Sequence, residues 1–189
     1  MVAKPFVEAV RELTAYTGNR IDAIVPFELG AGNTTAPMDA ALRLGIKVVD
    51  GDYAGRAIPE LSQTTPAIKG YTFEPGTICD PWGNILIMKK SASLKVAERI
   101  GKMISIATKI PDIKVPCAHA GFLLQGKEMK KLIIPGGISL SLKVGRCIRR
   151  AMAEGQDPAQ GAAEVIAGRV LFWGRVMKKE WESREGYMF

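Results

Sequence analysis

Apolar residues recur at helical spacing near the start of the chain, at Phe6, Val10 and Leu13, and Gly18-Asn19 supplies a stop. The pattern predicts a helix over residues 5–17. Residues 22–27 (DAIVPF) form a short apolar run that suits a buried strand, with Pro26 near its end. Thr35 can then cap a helix that has Pro37 in its first turn and runs through Met38, Ala41, Leu42 and Leu44 to a stop at Gly45. Residues 46–49 are again apolar and β-branched, ending at Asp50. Strand, loop, helix and strand make a βαβ unit, which requires a parallel pair and normally a right-handed crossover.

Farther on, Asp80-Pro81-Trp82-Gly83-Asn84 is a turn before the strand-like residues 85–88, which predicts a hairpin. Ser93 opens an amphipathic helix through Val96, Ile100, Met103 and Ile104, whose apolar stripe is expected to face the sheet. Residues 138–152 read as a helix with Leu140, Val144 and Ile148 on one side. Residues 158–167 read as a short last helix, and residues 169–181 as a strand with a further extended piece. The terminus Gly186-Tyr187-Met188-Phe189 has no polar tail, a pattern normally docked or part of something longer.

Composition changes this picture little. At 189 residues, 47% hydrophobic and 24% charged, the chain is long enough for a core of its own. The net charge of +7 invites a polyanionic partner. However, Lys89-Lys90, Lys130-Lys131, Lys143, Arg146, Arg149-Arg150 and Lys178-Lys179 are dispersed without aromatic interleaving, so they read as solvated faces and not as a nucleic-acid surface. Cys79, Cys117 and Cys147 are odd in number and widely spaced, which suits a reducing cytoplasm and argues against a disulfide framework or zinc knot. No apolar run approaches the roughly 20 residues that span a bilayer. The expectation is a soluble cytoplasmic protein with no membrane partner.

The chemistry concentrates in residues 27–70. Glu28 and Asp50 each fall just past a strand end of the βαβ unit, where ligands collect in α/β sheets. The intervening GAGNTT turn, with Asn33, Thr34 and Thr35, feeds a helix N-terminus that favours an anion or a carbonyl oxyanion; the plainer alternative is helix capping. The glycine between Asp50 and Asp52 permits a turn that brings both carboxylates to one centre. With Glu28 or Glu60 they could hold Mg²⁺ or Mn²⁺, or Zn²⁺ with a histidine such as His119; the alternative is a capped turn. No organic cofactor is expected. Arg56 could grip a substrate carboxylate while Glu60 serves as acid or base, or the two could simply pair. His119 is the sole histidine and lies two residues from Cys117, which suggests thiolate–imidazole chemistry or a half-buried histidine beside a buried cysteine.

Glu28, Gly30 and Asn33, then VVDGDYAGRAIPELSQTT at 48–65, Gly70, Pro75 and DPWGN at 80–84 resemble the S-methyl thiohydantoin desulfurase family. IPGGISLSLKVGRCIRRA at 134–151 and LFWGRVMKKEWESREGY at 171–187 carry the resemblance over most of the chain. It implies a three-layer α/β/α domain with a mostly parallel sheet, here residues 1–168, followed by the start of a small β region at 169–189. A glycine-rich stretch expected near the family N-terminus is missing, so the chain resembles the middle of a full-length member. The resemblance also implies action on a hydantoin, thiohydantoin or oxoproline type of cyclic amide, in a hydantoinase/oxoprolinase-type setting. Asp50, Asp52 and Glu60 would be catalytic, and Asn33, Thr34, Thr35, Arg56, Thr64 and Thr65 would bind substrate. The enzymatic expectation is a metal-assisted hydrolase or desulfurase; the alternative is a non-catalytic subunit or assembly module. Either would work as a homo-oligomer or with a partner subunit.

Overall fold

The computed structural model describes residues 4–108, 118–166, 183–184 and 187–188, with only the backbone described at 118, 119, 183, 184, 187 and 188. It divides into two compact units, Met1–Ile138 and Ser139–Phe189. The first opens with α1 (Pro5–Thr17), which follows the expected bounds and buries Val7, Ala9 and Leu13 against the sheet and the next helix. Phe6 and Val10, the other members of the expected stripe, are half-buried.

The βαβ unit forms. β1 (Ala23–Ile24) pairs in parallel with β2 (Lys47–Val48), Ala23 opposite Lys47 and Ile24 opposite Val48. Backbone bonds prolong the alignment, from Val49 N–H to Ile24 O (3.0 Å) and from Tyr53 N–H to Phe27 O (3.2 Å). The regular strand is shorter than the apolar run because Pro26, near its end, has no N–H for a ladder.

The connecting helix departs from expectation at its start. α2 (Ala31–Leu44) has Gly30, not Thr35, at its N-cap, and carries Pro37 in its interior. Thr34 and Thr35 lie within its first turns, where Thr35 Oγ1 donates to Ala31 O (2.5 Å). At the other end Gly45 takes the left-handed conformation and terminates the helix as expected.

β3 (Gly51–Asp52) follows at once and pairs antiparallel with β7 (Ile134–Pro135). The contact is close: a Cβ on Gly51 would stand 2.5 Å from Ile134 O, so only glycine fits. A 3₁₀ turn (Leu61–Gln63) and the short α3 (Thr65–Ile68) lead to β4 (Gly76–Cys79) and β5 (Ile85–Met88). These two form the expected hairpin, closed by Asp80. Its carboxylate accepts Trp82 N–H (3.0 Å), Asn84 N–H (2.8 Å) and Asn84 Nδ2 (2.6 Å). After α4 (Leu94–Ala107), β6 (Ala118–Gly121) adds antiparallel to β4, giving the order β5-β4-β6. α5 (Gly126–Leu132) precedes β7.

Two expectations are corrected here. Among the described residues one strand pairing is parallel and four are antiparallel, so the protein is a mixed α/β chain of small sheets without a mostly parallel sheet. For the β4–β5 pair the turn is the cause: a five-residue connection can reverse a chain but cannot cross over to a parallel neighbour. The second concerns α4. Ser93 caps it, accepting Val96 N–H (3.3 Å), yet Val96, Ile100, Met103 and Ile106 are exposed. The residues buried instead are Ala97 and Gly101, whose small size allows close packing, and the helix lies against the 3₁₀ turn.

In the second unit α6 (Gly137–Ala153) and α7 (Pro158–Ile166) match the expected helices. A Cβ on Gly161 would lie 2.4 Å from Cys147 O, which fixes how closely they pack. Lys143, Arg146, Arg149 and Arg150 are exposed, and Arg150 pairs with Glu164. Residues 169–182 lie outside the described residues. The backbones of β8 (Ser183–Arg184) and β9 (Tyr187–Met188) pair antiparallel. No helix among the described residues is long and apolar enough to cross a membrane.

Candidate functional site

A pocket of about 940 Å³ opens in the first unit between α1, the β1–α2 connection and the segment after β3. Its apolar wall includes Phe6, Val10 and Leu13 of α1 together with Phe27, Tyr53 and Phe122. The three rings belong to one aromatic cluster: Phe27 and Tyr53 are tilted with centroids 6.4 Å apart, and Tyr53 and Phe122 meet edge to face at 6.0 Å. Burial pushes the Tyr53 phenol up to about 12, so it stays a neutral hydroxyl at any ordinary pH.

Glu28 is the polar hub of this pocket. It sits four residues beyond β1, and its carboxylate accepts Asn33 Nδ2 from α2 on one oxygen and Ile58 N–H on the other. Thr34 Oγ1 holds the same residue by its backbone, donating to Glu28 O (3.2 Å), and accepts Gly30 N–H (3.0 Å). Glu28, Asn33 and Glu60 of the expected site residues therefore line one pocket. Each Glu28 oxygen retains acceptor capacity toward a ligand N–H.

Asp50 and Asp52 do not share a centre. Asp52 is wholly buried, and Gly55 N–H reaches both of its oxygens (3.0 and 2.9 Å). Burial raises its pKa, the backbone N–H groups of Gly55, Ala54 and Leu29 oppose the rise, and the charge of Glu28 adds to it. Asp50, two residues earlier, is exposed, and its carbonyl accepts Gly136 N–H (2.9 Å). Residues two apart on a continuous strand would share a face, but Asp50 precedes β3, which begins at Gly51, so strand geometry does not align the two carboxylates.

The remaining candidates are placed by structure more than by the pocket. Arg56 is exposed and donates to Ala57 O (2.7 Å). Thr64 is buried, donates to Leu61 O (2.7 Å) and caps α3. Thr65 Oγ1 donates to Leu132 O (2.5 Å). Thr35, as above, bonds within α2. Cys117 lies outside the described residues, and His119 is described only as backbone of β6, opposite Ile78.

Among the described residues no three His, Cys, Asp or Glu side chains gather as an ion would require. Glu28 and Asp52 accept N–H donors instead, and Asp50 is exposed, so these three carboxylates do not gather around one point.

Several contributors were not among the sequence candidates. Glu98 and Lys102 of α4 line the pocket, and their i,i+4 spacing on the helix was a usable signal. Ile58 contributes through its backbone N–H, for which no side-chain signal exists.

A crystal structure of a protein from Chromobacterium violaceum, from a structural genomics consortium, matches with a TM-score of 0.70 at 22% identity. The match covers 86% of this chain and 44% of that one, so the chain spans less than half its length, and the likeness establishes the fold alone. No curated protein matches the chain. The family model described as S-Me-THD-like, N-terminal domain matches residues 1–90, and the one described as S-Me-THD-like, C-terminal domain matches residues 92–189. With both domain models matched in sequence order across nearly every residue, the chain belongs to the S-Me-THD-like family, that of S-methyl thiohydantoin desulfurase.

Proposed function

We propose that this pocket binds a small five-membered cyclic amide of the thiohydantoin type, and that the bound ring is desulfurised by water. The observation that carries the reading is the Glu28 carboxylate, held from two sides at a pocket with an aromatic wall. A flat ring suits the wall, and a ring N–H suits the carboxylate. In the reaction, water adds to the ring carbon that bears the methylthio group. The C–S bond then breaks, the carbon becomes a carbonyl, and methanethiol leaves with the proton. No redox partner is needed. In this reading Glu28 accepts the proton of the attacking water, and Glu60, which lines the same pocket, is a second acid–base group.

The test is calorimetric and thermal. S-methyl thiohydantoin, hydantoin and 5-oxoproline are titrated into the full chain, with and without chelator or added Mg²⁺, Mn²⁺ or Zn²⁺, and thiol release is followed. Binding of at least one ring, weakened by Glu28→Gln, is the expected result. If no ring binds or raises the melting temperature under any metal condition, the reading is wrong.

A second reading, an assembly module that works with another copy or a partner subunit, is favoured by one feature. Leu86 and Ile87 on the edge strand β5 and Ile100 on α4 form an exposed apolar surface. A chain that binds no ring yet sediments as a stable oligomer would support it.

A further inference from the structure

The segment from Ile58 to Leu61 forms one wall of the pocket, and its backbone is held from two directions. From one side Glu28 accepts Ile58 N–H. From the other, Glu98 Oε2 on α4 accepts Leu61 N–H (3.1 Å), 37 residues away in sequence. Lys102, one helical turn further, pairs with Glu98 Oε1 (3.1 Å) and donates to Pro59 O (3.4 Å). The Glu98 side chain is only 11% exposed, so its bond is little contested by water.

We propose that Glu98 is a positioning residue for the ligand pocket: by holding Leu61 N–H it places the Ile58–Leu61 wall, and through Ile58 the carboxylate of Glu28. The inference rests on the pocket reading above. Pro59 contributes no N–H, and the segment carries no helix or strand of its own before Leu61. Its place is therefore set by the groups that reach in from other elements. Glu98 also accepts the first N–H of the 3₁₀ turn, an end group with no partner inside the turn. The small residues Ala97 and Gly101 let α4 approach closely enough for this reach.

The test uses the full chain with three variants, Glu98→Ala, Glu98→Gln and Lys102→Met, and S-methyl thiohydantoin and hydantoin as probes. Dissociation constants are measured beside hydrogen exchange of the Leu61 amide and the melting temperature without ligand. Glu98→Ala is expected to weaken ring binding roughly tenfold, on the order of one charge-assisted hydrogen bond, and to speed exchange at Leu61. Glu98→Gln should recover most of the affinity, because its amide oxygen can still accept that N–H although the pairing with Lys102 is lost. Lys102→Met should fall between them. If Glu98→Ala fails to fold, the contrast between Glu98→Gln and Lys102→Met decides, and affinity lost more in Glu98→Gln counts against the proposal. A parent that binds a ring and a Glu98→Ala variant that binds it equally well overturn this inference alone. A parent that binds neither ring overturns the functional reading and this with it.

Discussion

Asp52 and Asp80 are both buried aspartates, and their carboxyls move in opposite directions. Burial dominates at Asp52, opposed by three backbone N–H groups and reinforced by Glu28. Burial also works on Asp80, but the Asn84 side chain and the N–H groups of Asn84, Trp82 and Gly83 outweigh it. The consequence is a signed pH dependence. With a raised folded pKa, Asp52 contributes most below its unfolded value of roughly pH 4, and stability falls as pH rises from there through the folded value. Asp80 does the reverse: its contribution is present above roughly pH 4 and is lost as pH falls through its depressed folded value. Urea unfolding at a series of pH values should show Asp52→Asn no less stable than the parent near neutrality, with a flatter profile above pH 4. Asp80→Ala should instead lose about 2 kcal/mol at pH 7, because it strands buried N–H groups. A parent-like Asp80→Ala would contradict the assigned role of the turn. The Asp80–Asn84 turn was legible from its residue types alone. The burial of Asp52 was not, since nothing in Asp-Gly-Asp says which acid faces inward.

At the scale of elements, the helix and hairpin limits read well because each is set by local chemistry: Gly18 and Gly45 end α1 and α2, and Ser93 opens α4. Two starts and faces did not. α2 is capped at Gly30, whose N–H donates to Thr34 Oγ1, leaving Thr35 inside the helix. α4 turns small residues inward, against the stripe that its sequence displays. The β3–β7 pairing was also hidden, since Ile134-Pro135 lies more than 80 residues from its partner. It makes a strong prediction, however. Gly51→Ala places a methyl group against Ile134 O and the Ile133 side chain, and should cost about 2–4 kcal/mol with loss of β3–β7 amide protection. Gly32→Ala, which meets nothing within 4 Å, is the control and should be neutral or slightly stabilising. Equal stability of the two variants would mean that β3 does not lie against β7.

For the whole molecule, the mismatch between apolar pattern and burial is the main physical consequence. Ile85, Leu86, Ile87, Val96 and Ile100 remain exposed on β5 and α4. The folded chain should therefore enhance the fluorescence of an anilinonaphthalene sulfonate dye, and the pair Ile87→Lys with Ile100→Glu should reduce that signal without loss of helical circular dichroism. Unchanged dye binding would place the accessible apolar surface elsewhere. Sequence by itself determined the family, helices α1, α2, α4, α6 and α7 with the glycine stops of the first two, the parallel β1–β2 pair, the Asp80 hairpin and the segment in which Glu28 and Asn33 lie, because each depends on near neighbours or on a contiguous motif. Tertiary structure decided which residues meet. It separated Asp50 from Asp52, turned Arg56 to the surface, and brought Glu98 from α4 to the wall that Glu28 holds from the other side. Those outcomes depend on burial and on partners tens of residues away, and a carboxylate carries the same sequence letter whether it faces water, a backbone N–H or a pocket.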